Sequence, residues 1–409
     1  MVDAAASFDG NRPATTEAAP RAQPKDAAEL SVSLAAEEGL AAYVGFCGTA
    51  LHAPAQGAIW VQNWTSNIKP DLLIATLTMA DRPVFALALE IARRGPFRIA
   101  RFMGDRHANG NFAAIDQRWL ARVDNRTIRR MLAAVAKARP DIDLVALERL
   151  LPSLDGAANP LASLDHFPSP NLSLAVDLSG GFEALLLRAS GKRKRKKHRS
   201  QTRKFEAVGS HRRIEARNAD EVNRLLDAFF EMKELRFRKM GIANVFGDDR
   251  TRAFFRALFT RALAEDKPPF LLHGLEVAGK LRAVTGSSRT GKRLICEFGA
   301  IAEDDLAHTS PGDFLFFDNI REACETGYEV YDFSVGDEAY KRLWCDIETQ
   351  HFDVLVPLTL KGRALALALR QGVRLKAFIK NNPTIWKLTK LLRRKAVRQA
   401  APAAGEDES

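Results

Sequence analysis

The sequence predicts a mixed α/β protein, of α+β or α/β class, built from two similar halves that each hold a mixed sheet flanked by helices. Short apolar strands follow one another closely and are joined by tight turns. Each such run leads into an amphipathic helix and then a further strand, and this order occurs twice along the chain. The hydrophobic fraction of 46% over 409 residues is that of an ordinary globular protein.

The second half has the clearer pattern. An initial strand and two helices precede three strands, and a helix, a strand, a short helix and a last strand complete the unit. The predicted elements are, in order, His211–Arg217, Asp220–Met240, Asp249–Glu265, Phe270–Val277, Leu281–Ser288, Arg293–Ile301, Pro311 to before Gly327, Glu329–Val335, Glu338–Cys345 and Phe352–Leu358.

The first half repeats part of this order. Its predicted elements are the strands Asp71–Met79, Pro83–Ile91 and Arg98–Gly104, a long helix Gln117–Ala138 and a strand Ile142–Leu147. A divergent internal duplication explains the repetition, and chance recurrence of hairpins and helices is the alternative.

These elements divide the chain into five segments. We expect a disordered tail over 1–29, a first half over 30–175, a basic linking helix over 176–209, a second half over 210–360 and a basic amphipathic helical tail over 361–409.

The positive charge is concentrated in two stretches. Residues 192–204 hold nine Lys or Arg and residues 361–398 hold twelve, and without them the net charge of +11 becomes about −10. This argues against a protein whose folded face coats nucleic acid. The last stretch predicts a helix after Pro383 with an apolar stripe of Ile385, Leu388, Leu391 and Leu392, which suits either an anionic bilayer or the protein core.

The remaining composition points to the cytoplasm. Cys47, Cys296, Cys324 and Cys345 form no close pair in sequence, which disfavours a zinc site or a disulfide framework. No stretch has the length and apolarity of a membrane span. We therefore expect a cytoplasmic protein without a metal, with peripheral contact to the inner membrane face through its C-terminal helix as a further option.

The second half contains a predicted change from antiparallel to parallel strand pairing. Strands separate at such a point, and a ligand can reach backbone groups that the separation leaves unpaired. The helix that begins near Pro311 opens beside this gap. Its free N–H groups and its dipole suit a pyrophosphate.

The amino-acid sequence around this predicted gap resembles that of a known family. His308–Asp313, the helix, and Tyr331–Trp344 resemble the GNAT acetyltransferase superfamily, in the branch of cellulose-biosynthesis (CelD-like) acetyltransferases. The chain is more distantly similar to the tandem Fem-type aminoacyl transferases of peptidoglycan synthesis. The resemblance implies an acyl-CoA donor, such as acetyl-CoA. It leaves open whether the acceptor is a small molecule or a polysaccharide precursor.

The expected donor site combines backbone groups of a strand with the start of the helix that follows it. Ser310, Pro311 and Gly312 would meet the pyrophosphate, and the backbone at Phe298–Ala300 would meet the thioester. The sequence departs from the usual Arg/Gln-x-x-Gly-x-Gly/Ala clamp, and Asp313 adds negative charge there. A capping box of Ser310 and Asp313, which needs no ligand, is the alternative.

Three residues are candidates for catalysis. Glu297 lies in an apolar strand, where it shares a face with Ile295 and Gly299; it is either a buried general base or solvent-facing. Asp332 is either a second base or a structural carboxylate at a turn. Tyr340 is placed by the resemblance to protonate the leaving thiolate.

Two further residues are candidates for substrate binding. Lys341 would hold an anionic group of donor or acceptor, and Trp344 would contribute to the same site. The alternative is that Tyr340 and Trp344 pack on the core while Lys341 is solvated. His107, His308 and His351 are interpreted as surface or loop histidines.

A different class of function competes with the enzyme. Residues 192–204 could form the surface of a non-catalytic protein that binds nucleic acid or an anionic membrane, although aromatic residues for base stacking are absent before Phe205. A Fem-like enzyme would use the same residues for an aminoacyl-tRNA. A solvated linking helix is the third interpretation.

Overall fold

The structure, a computed structural model, describes residues 30–381. The strands are β1 Leu30–Ala35, β2 Leu72–Met79, β3 Arg82–Arg94, β4 Phe97–Phe102, β5 Ala114–Ile115, β6 Leu144–Leu150, β7 Ser153–Leu154, β8 Ala157–Ala158, β9 His166–Asp177, β10 His211–Glu215, β11 Phe270–Val277, β12 Lys280–Thr290, β13 Arg293–Ile301, β14 Val330–Val335 and β15 Ile347–Pro357. The α-helices are α1 Leu40–Cys47, α2 Ala58–Ile68, α3 Asn125–Ala138, α4 Gly181–Arg188, α5 Gly191–Val208, α6 Ala219–Met240, α7 Asp249–Ala262, α8 Pro311–Glu325, α9 Ala339–Arg342 and α10 Leu360–Asn381.

One mixed sheet runs through both halves. Its strand order is β1-β2-β3-β4-β6-β15-β9-β14-β13-β12-β11-β10, with β5 paired to β3. Each half has an antiparallel meander, β2-β3-β4 or β11-β12-β13, followed by one parallel pair, β4 with β6 or β13 with β14. The predicted fold class, mixed α/β with helices flanking a mixed sheet, is therefore confirmed, although the two halves share one sheet.

The two meanders begin with the same kind of turn. Ala80 and Asp81 join β2 to β3 with φ of 49° and 58°, and Ala278 and Gly279 join β11 to β12 with φ of 50° and 76°. Two successive residues with positive φ form the hairpin turn whose twist matches that of the strands. The repeated local geometry explains why both hairpins were recognisable in the sequence.

Helix α6 shows how sequence signals fix the second half. Asn218 accepts a hydrogen bond from the Glu221 N–H at its start, and Gly241 ends it with φ of 62°. Its apolar stripe, from Val222 to Phe230, is buried as predicted.

The two halves share a core. Trp60 and Trp64 of α2 each contact the ring of Phe254 on α7 edge to face, with ring centroids 4.9 Å apart. Aromatic pairs of this kind add about 0.5–1.5 kcal/mol beyond their buried area. The halves are thus packed against each other through α2 and α7 as well as joined in one sheet.

Three details differ from the sequence analysis. The single basic linking helix expected over 176–209 is instead the end of β9 followed by two helices, α4 and α5. The predicted helix Gln117–Ala138 is divided, because Asp124 accepts a hydrogen bond from the Thr127 N–H and starts α3 anew after a 3-10 helix. Strand β15 was expected to complete the second half, but it lies between β6 and β9, and β9 lies beside β14. Each half thus receives its last strand from the other.

No helix within residues 30–381 has the length and apolarity needed to cross a bilayer. The predicted amphipathic helix after Pro383 lies outside the described residues, so its proposed membrane contact stays a prediction.

Candidate functional site

The strand gap expected in the second half is present. Strands β13 and β14 pair in parallel only from Arg293 with Val330 to Ile295 with Asp332, and they separate beyond that point. The segment Phe298–Ala300 lies past the last pair, on the edge of β13 that faces the gap. Its backbone can therefore meet a ligand placed there.

A cavity of about 300 Å³ lies beside the part of β13 that has separated from β14. Its walls are largely apolar, from Ala283, Val284, Ala300, Ile301, Phe316 and Leu343, and its polar groups come from Lys197, Arg236, Thr285, Ser310, Asp313 and Tyr340. Gly312 lies in the same lining. The structure thus brings together Ala300, Ser310, Gly312 and Tyr340, which the sequence analysis placed in one site. We call this space the donor cavity.

Two larger cavities, of about 720 and 570 Å³, flank α10. Neither contains any of the residues that the sequence analysis selected. Cavity volume therefore does not identify the functional site. The cavity beside the strand gap and the start of α8 is the better candidate.

The loop before α8 leaves one N–H group available. Pro311 is the first residue of the helix, and Ser310 precedes it with φ of 58° and without a side-chain capping bond. The alternative capping box of Ser310 with Asp313 is therefore wrong. No hydrogen bond among residues 30–381 uses the Gly312 N–H, whereas the Asp313 N–H donates to the Ser310 carbonyl over 3.1 Å. Gly312 thus offers a free donor at the positive end of the helix.

The basic helix α5 holds this loop in place. The Gln201 amide donates to the carbonyls of Thr309 and Ser310 over 2.8 and 3.0 Å. Lys197 pairs with Asp313 over 2.9 Å and lines the donor cavity. The negative charge that Asp313 brings to the helix start is therefore balanced by a cation from α5.

Glu297 sits at a β-bulge. The strand register passes from Gly286 with Phe298 to Ser287 with Cys296, so Glu297 has no partner residue on β12. The bulge places it beside Phe298, and not on one face with Gly299 as alternation had suggested. That expectation was wrong because a bulge breaks the period of two.

The environment of Glu297 suits a proton acceptor. Its Oε1 accepts a hydrogen bond from the Ser288 hydroxyl over 2.5 Å, and its buried Oε2 has no partner within residues 30–381. Burial raises the pKa of Glu297 to about 8. The side chain lines a cavity of about 70 Å³ that Arg106 and His107 of the first half help to form. Glu297 lies outside the lining of the donor cavity.

Asp332 is held by three groups. Its Oδ2 pairs with Arg293 over 2.8 Å, and its Oδ1 accepts from the Ser334 N–H and the Ser173 hydroxyl over 2.7 and 3.1 Å. These contacts join β14 to both of its neighbouring strands at the last pair before the gap. This geometry is that of a positioning carboxylate, and a catalytic role stays a prediction.

Tyr340 reaches the donor cavity from α9. Its ring stacks on Phe316 with centroids 5.8 Å apart, and 43% of the residue is exposed. Partial burial, and secondarily the nearby Cys296, raise the pKa of the Tyr340 hydroxyl. The hydroxyl therefore carries its proton at neutral pH, as a proton donor must.

Lys341 and Trp344 lie outside the lining of the donor cavity. Lys341 is buried and donates to the carbonyls of Val335 and Gly336 over 3.1 and 3.3 Å, so the alternative of a solvated lysine is wrong. It also pairs with Glu338 over 2.9 Å. Trp344 is buried beneath the Lys194 ammonium, 4.4 Å from its ring centroid. Their predicted roles in substrate binding remain predictions.

Several residues near the site were not selected from the sequence. Lys197 and Gln201 were assigned to a linking helix, although Gln201 and Phe205 share the side of α5 that is buried. Lys233 is partly buried between the rings of Phe229 and Phe237, 5.7 Å from each centroid, and burial lowers its pKa to about 8. A lysine four residues from two phenylalanines on one helix was the available signal.

The environment of one histidine differs from the one predicted from the sequence. His351 is only 1% exposed, and neither ring nitrogen has a hydrogen-bond partner within residues 30–381. Burial lowers the pKa of His351 to about 4, so it is neutral. It is a core residue, not a surface or loop histidine.

Comparison with known protein families finds a match in the second half of the chain. Residues 192–342 match the family model described as an acetyltransferase (GNAT) domain. No curated protein sequence matches the chain. The matched range includes α5 as well as the β13–α8–β14 unit.

Solved structures align with about four fifths of this chain. FemX aligns over 80% of this chain and 98% of its own, with a TM-score of 0.55 and 9% identity. The C-terminal domain (DUF2156) of a putative lysylphosphatidylglycerol synthetase from Agrobacterium fabrum covers 81% and 95% at a TM-score of 0.48 and 13% identity. A tandem GNAT protein from the clavulanic acid biosynthesis pathway covers 81% and 99% at 0.46 and 12%. The likeness to FemX establishes the fold, and the matched domain supports a transferase.

Proposed function

We propose that the protein transfers an acetyl or longer acyl group from a CoA thioester to an amine or hydroxyl acceptor. The observation that carries this proposal is the donor cavity, which lies along the part of β13 that has separated from β14 and includes Gly312 with its free N–H. A thioester donor needs an extended slot for its arm and a positive helix end for its phosphates, and these two features adjoin here.

The donor would enter with its phosphates at Ser310, Pro311 and Gly312. Pro311 leaves the first turn without its own N–H, so the Gly312 N–H is the nearest donor to a phosphate at this helix end. The apolar walls of the donor cavity suit the pantetheine arm, which would lie along the backbone of Phe298–Ala300.

The chemistry proceeds by direct attack. The acceptor nitrogen or oxygen bonds to the thioester carbonyl carbon while Glu297 takes its proton, and a backbone N–H of Phe298–Ala300 stabilises the oxyanion. The C–S bond then breaks, and the leaving thiolate takes a proton from Tyr340. Burial raises the pKa of Cys296 to about 12, so this thiol is protonated and a poor nucleophile. An acyl-enzyme therefore has no role in the proposal.

The other predicted residues would support this site. Asp332 would fix β14 at the start of the gap, and Lys341 would fix the turn that carries Tyr340 towards the donor cavity. Trp344 would act through its packing beneath Lys194, unless the acceptor reaches it by displacing that side chain.

The acceptor would approach from the side of Glu297. The small cavity there is formed by both halves, with Arg106 and His107 from the first and Phe255 from the second. The first half would thus select the acceptor, while the second half holds the donor. From the resemblance of the sequence to CelD-like acetyltransferases, we propose an acceptor from cell-envelope or exopolysaccharide biosynthesis.

The likeness to the fold of FemX supports a second candidate, a Fem-like transferase that takes its acyl group from an aminoacyl-tRNA. The two candidates differ in what stabilises the protein. Thermal unfolding should be measured with acetyl-CoA, longer acyl-CoAs and aminoacyl-tRNA side by side. A rise in Tm with an acyl-CoA and none with the tRNA is expected, and the reverse pattern would replace the proposed donor. A protein that responds to neither favours the non-catalytic, anion-binding class.

A further inference from the structure

Helix α6 runs alongside the part of β13 that has separated from β14. At one end the ring centroids of Phe229 and Phe298 are 4.3 Å apart, and further along Lys239 pairs with Glu303. The helix advances about 15 Å between its two contact residues, and the extended chain from Phe298 to Glu303 advances about 17 Å. Because the two distances are similar, positions on α6 between these contacts can be assigned to positions on β13.

Lys233 lies on this helix close to the expected position of the thioester. It follows Phe229 by four residues, or about 6 Å of helix axis, which matches the distance from Phe298 to Ala300 along the strand. Because the side chains of a helix lean towards its N-terminus, the Lys233 side chain is directed back towards Phe298. Its Nζ is 5.7 Å from the ring centroid of Phe229, in agreement with this position.

The surroundings of Lys233 are shared with Tyr340. Burial is the main cause that shifts the pKa of each of these two groups. Three further groups, Arg236, Cys296 and Glu338, influence the pKa of both. Arg236 and Tyr340 line the donor cavity, and Lys233 lies outside that lining. The Lys233 ammonium is therefore near the hydroxyl that we propose as the proton donor to the thiolate.

The Lys233 ammonium has no polar partner. It forms no hydrogen bond and no ion pair among residues 30–381, in contrast to Lys239, which pairs with Glu303. Its neighbours are the rings of Phe229 and Phe237. Burial lowers the pKa of Lys233 to about 8, so a substantial fraction of the side chain is an uncharged amine near neutral pH. Such an amine on a flexible four-carbon stem can act as a nucleophile.

Resting on the proposed function, we infer that Lys233 is a self-modification site that accepts the acyl group of the bound donor when no acceptor is present. The uncharged nitrogen bonds to the thioester carbonyl carbon, and the C–S bond breaks. Tyr340 gives its proton to the leaving thiolate and takes one from the Lys233 nitrogen. An amide and a free thiol are formed, and Tyr340 is regenerated.

The amide at Lys233 is an end product and not an intermediate of transfer. An amide is a much poorer acyl donor than a thioester, so the group is not passed on to an acceptor. Acylation also removes a positive charge and places an acyl group beside the reacting position. We therefore expect the modified chain to turn over more slowly than the unmodified one.

Binding of the donor's phosphates explains Lys233 less well. The proposed phosphate position is at Gly312, where an added Cβ would lie 2.8 Å from Cγ2 of Ile301. On the spacing of α6 and β13, Arg236 is the residue that comes opposite Ile301, and Lys233 lies about 4.5 Å of helix axis nearer to Phe298. Its amine is therefore placed for the thioester end of the donor.

The test is peptide mapping by mass spectrometry after the full chain has been incubated with acetyl-CoA and no acceptor. Lys239 and Lys267, both exposed, serve as internal controls for chemical acetylation of the same chain. Lys233→Arg keeps the charge and removes the nucleophilic amine, and Gly312→Ala weakens the proposed donor site. Calorimetry measures acetyl-CoA binding by each protein, and thermal unfolding verifies that each variant folds.

We expect wild type to gain one acetyl group per chain, at Lys233, at a rate that saturates with acetyl-CoA. This rate should exceed that at either control lysine by at least about tenfold, because the donor is held beside the amine. Lys233→Arg should bind acetyl-CoA within about twofold of wild type and show no saturable acetylation. Gly312→Ala should slow acetylation of Lys233 at limiting acetyl-CoA and leave that of Lys267 unchanged.

Two results would overturn the inference and leave the proposed function intact. One is a protein that binds acetyl-CoA and gains no acetyl group at Lys233. The other is acetylation of Lys233 that rises in proportion to acetyl-CoA and is unchanged in Gly312→Ala, which is the behaviour of chemical acetylation alone. If wild type does not bind acetyl-CoA, the proposed function itself fails.

Discussion

The two halves contain the same strand gap, but only the second leaves it open. In the first half β4 and β6 pair in parallel from Ile99 with Leu144 to Arg101 with Ala146 and then part, as β13 and β14 do. Twenty-two residues separate β4 from α3, whereas nine separate β13 from α8. The longer connection folds back into the first gap.

Asn111 fills the first gap with hydrogen bonds. Its N–H donates to the Arg149 carbonyl over 2.8 Å, its amide donates to the Glu148 carbonyl over 2.7 Å, and its Oδ1 accepts from Gln56 over 2.8 Å. Backbone groups that a ligand would meet in the second half are thus satisfied by the chain itself in the first. We infer that the length of the connection after the third meander strand decides which half can hold a donor.

The largest expected effect is on turnover in the second half. Glu297→Gln should lower kcat about 10²–10³-fold, because general-base catalysis contributes about that much. The wild-type rate should rise towards pH 8 as Glu297 ionises, and the variant should lose this rise. CoA release with the best acceptor from an amine and alcohol panel measures both. A variant with an unchanged pH profile would remove Glu297 from the chemistry.

The raised pKa of Glu297 also predicts a stability effect. The folded protein holds this proton more tightly than the unfolded chain, so the stabilisation is complete below about pH 4.5 and is lost as the pH rises through about 8. Glu297→Gln should therefore gain on the order of 4 kcal/mol relative to wild type between pH 5 and pH 9. Urea unfolding at the two pH values checks the sign.

A comparable loss of turnover is expected at Tyr340. Tyr340→Phe should lower kcat by about 10²-fold and change the donor Kd little, because a proton donor to the thiolate acts mainly in the transition state. Tyr328→Phe, at the opposite end of β14 and outside the donor cavity, is the matched control and should retain activity. Equal effects of the two changes would show that Tyr340 has only a packing role.

A smaller effect is expected on donor binding at the helix start. A Cβ at Gly312 would lie 2.8 Å from Cγ2 of Ile301, so Gly312→Ala should crowd the loop and weaken donor binding by about tenfold. Gly45→Ala, in the exposed side of α1 with no atom within 4 Å of the new Cβ, controls for the loss of a glycine. Calorimetry gives the Kd, and thermal unfolding verifies that both variants fold.

Removing the charge of Asp313 should strengthen donor binding, in contrast to the change at Gly312. Asp313→Asn frees Lys197 and removes a carboxylate near the phosphates, so acetyl-CoA should bind about threefold more tightly at low salt. The gain should shrink as salt is added. Weaker binding by this variant would mean that the Lys197–Asp313 pair organises the site for its ligand.

The smallest effect on the donor is expected in the first half. Asn111→Ala removes the acceptor of the buried Gln56 amide and should cost about 1–3 kcal/mol of stability. Acetyl-CoA binding to the folded variant should remain as in wild type. A second binding event in this variant would show that the Asn111 side chain had concealed a functional site in the first half.

The sequence predicted the repeated meanders well, because tight turns and helical stripes are local signals. It did not predict that β9 pairs with a strand of the second half and β15 with a strand of the first. The sequence of a strand does not specify which distant strand it pairs with. Ser310 and Gly312 were selected through their place at the start of α8. Glu297 was found as a carboxylate in an apolar strand, but the bulge that sets its direction was not visible.

The contribution of α5 was harder to foresee. Its charge density indicated a solvated linker, yet Gln201 and Lys197 bind the loop at the donor cavity. Those contacts depend on how the helix packs against α8, which composition does not encode. Lys341 is a further case, because its ammonium is satisfied by backbone carbonyls that only the folded turn presents.

We propose that the two similar halves provide one donor site, in the second half. Calorimetric titration of the wild-type protein with acetyl-CoA, repeated with Gly312→Ala, tests it most directly. We expect one equivalent of donor per chain and about tenfold weaker binding in the variant. Two equivalents per chain, no binding at all, or a single site that Gly312→Ala leaves unchanged would contradict it.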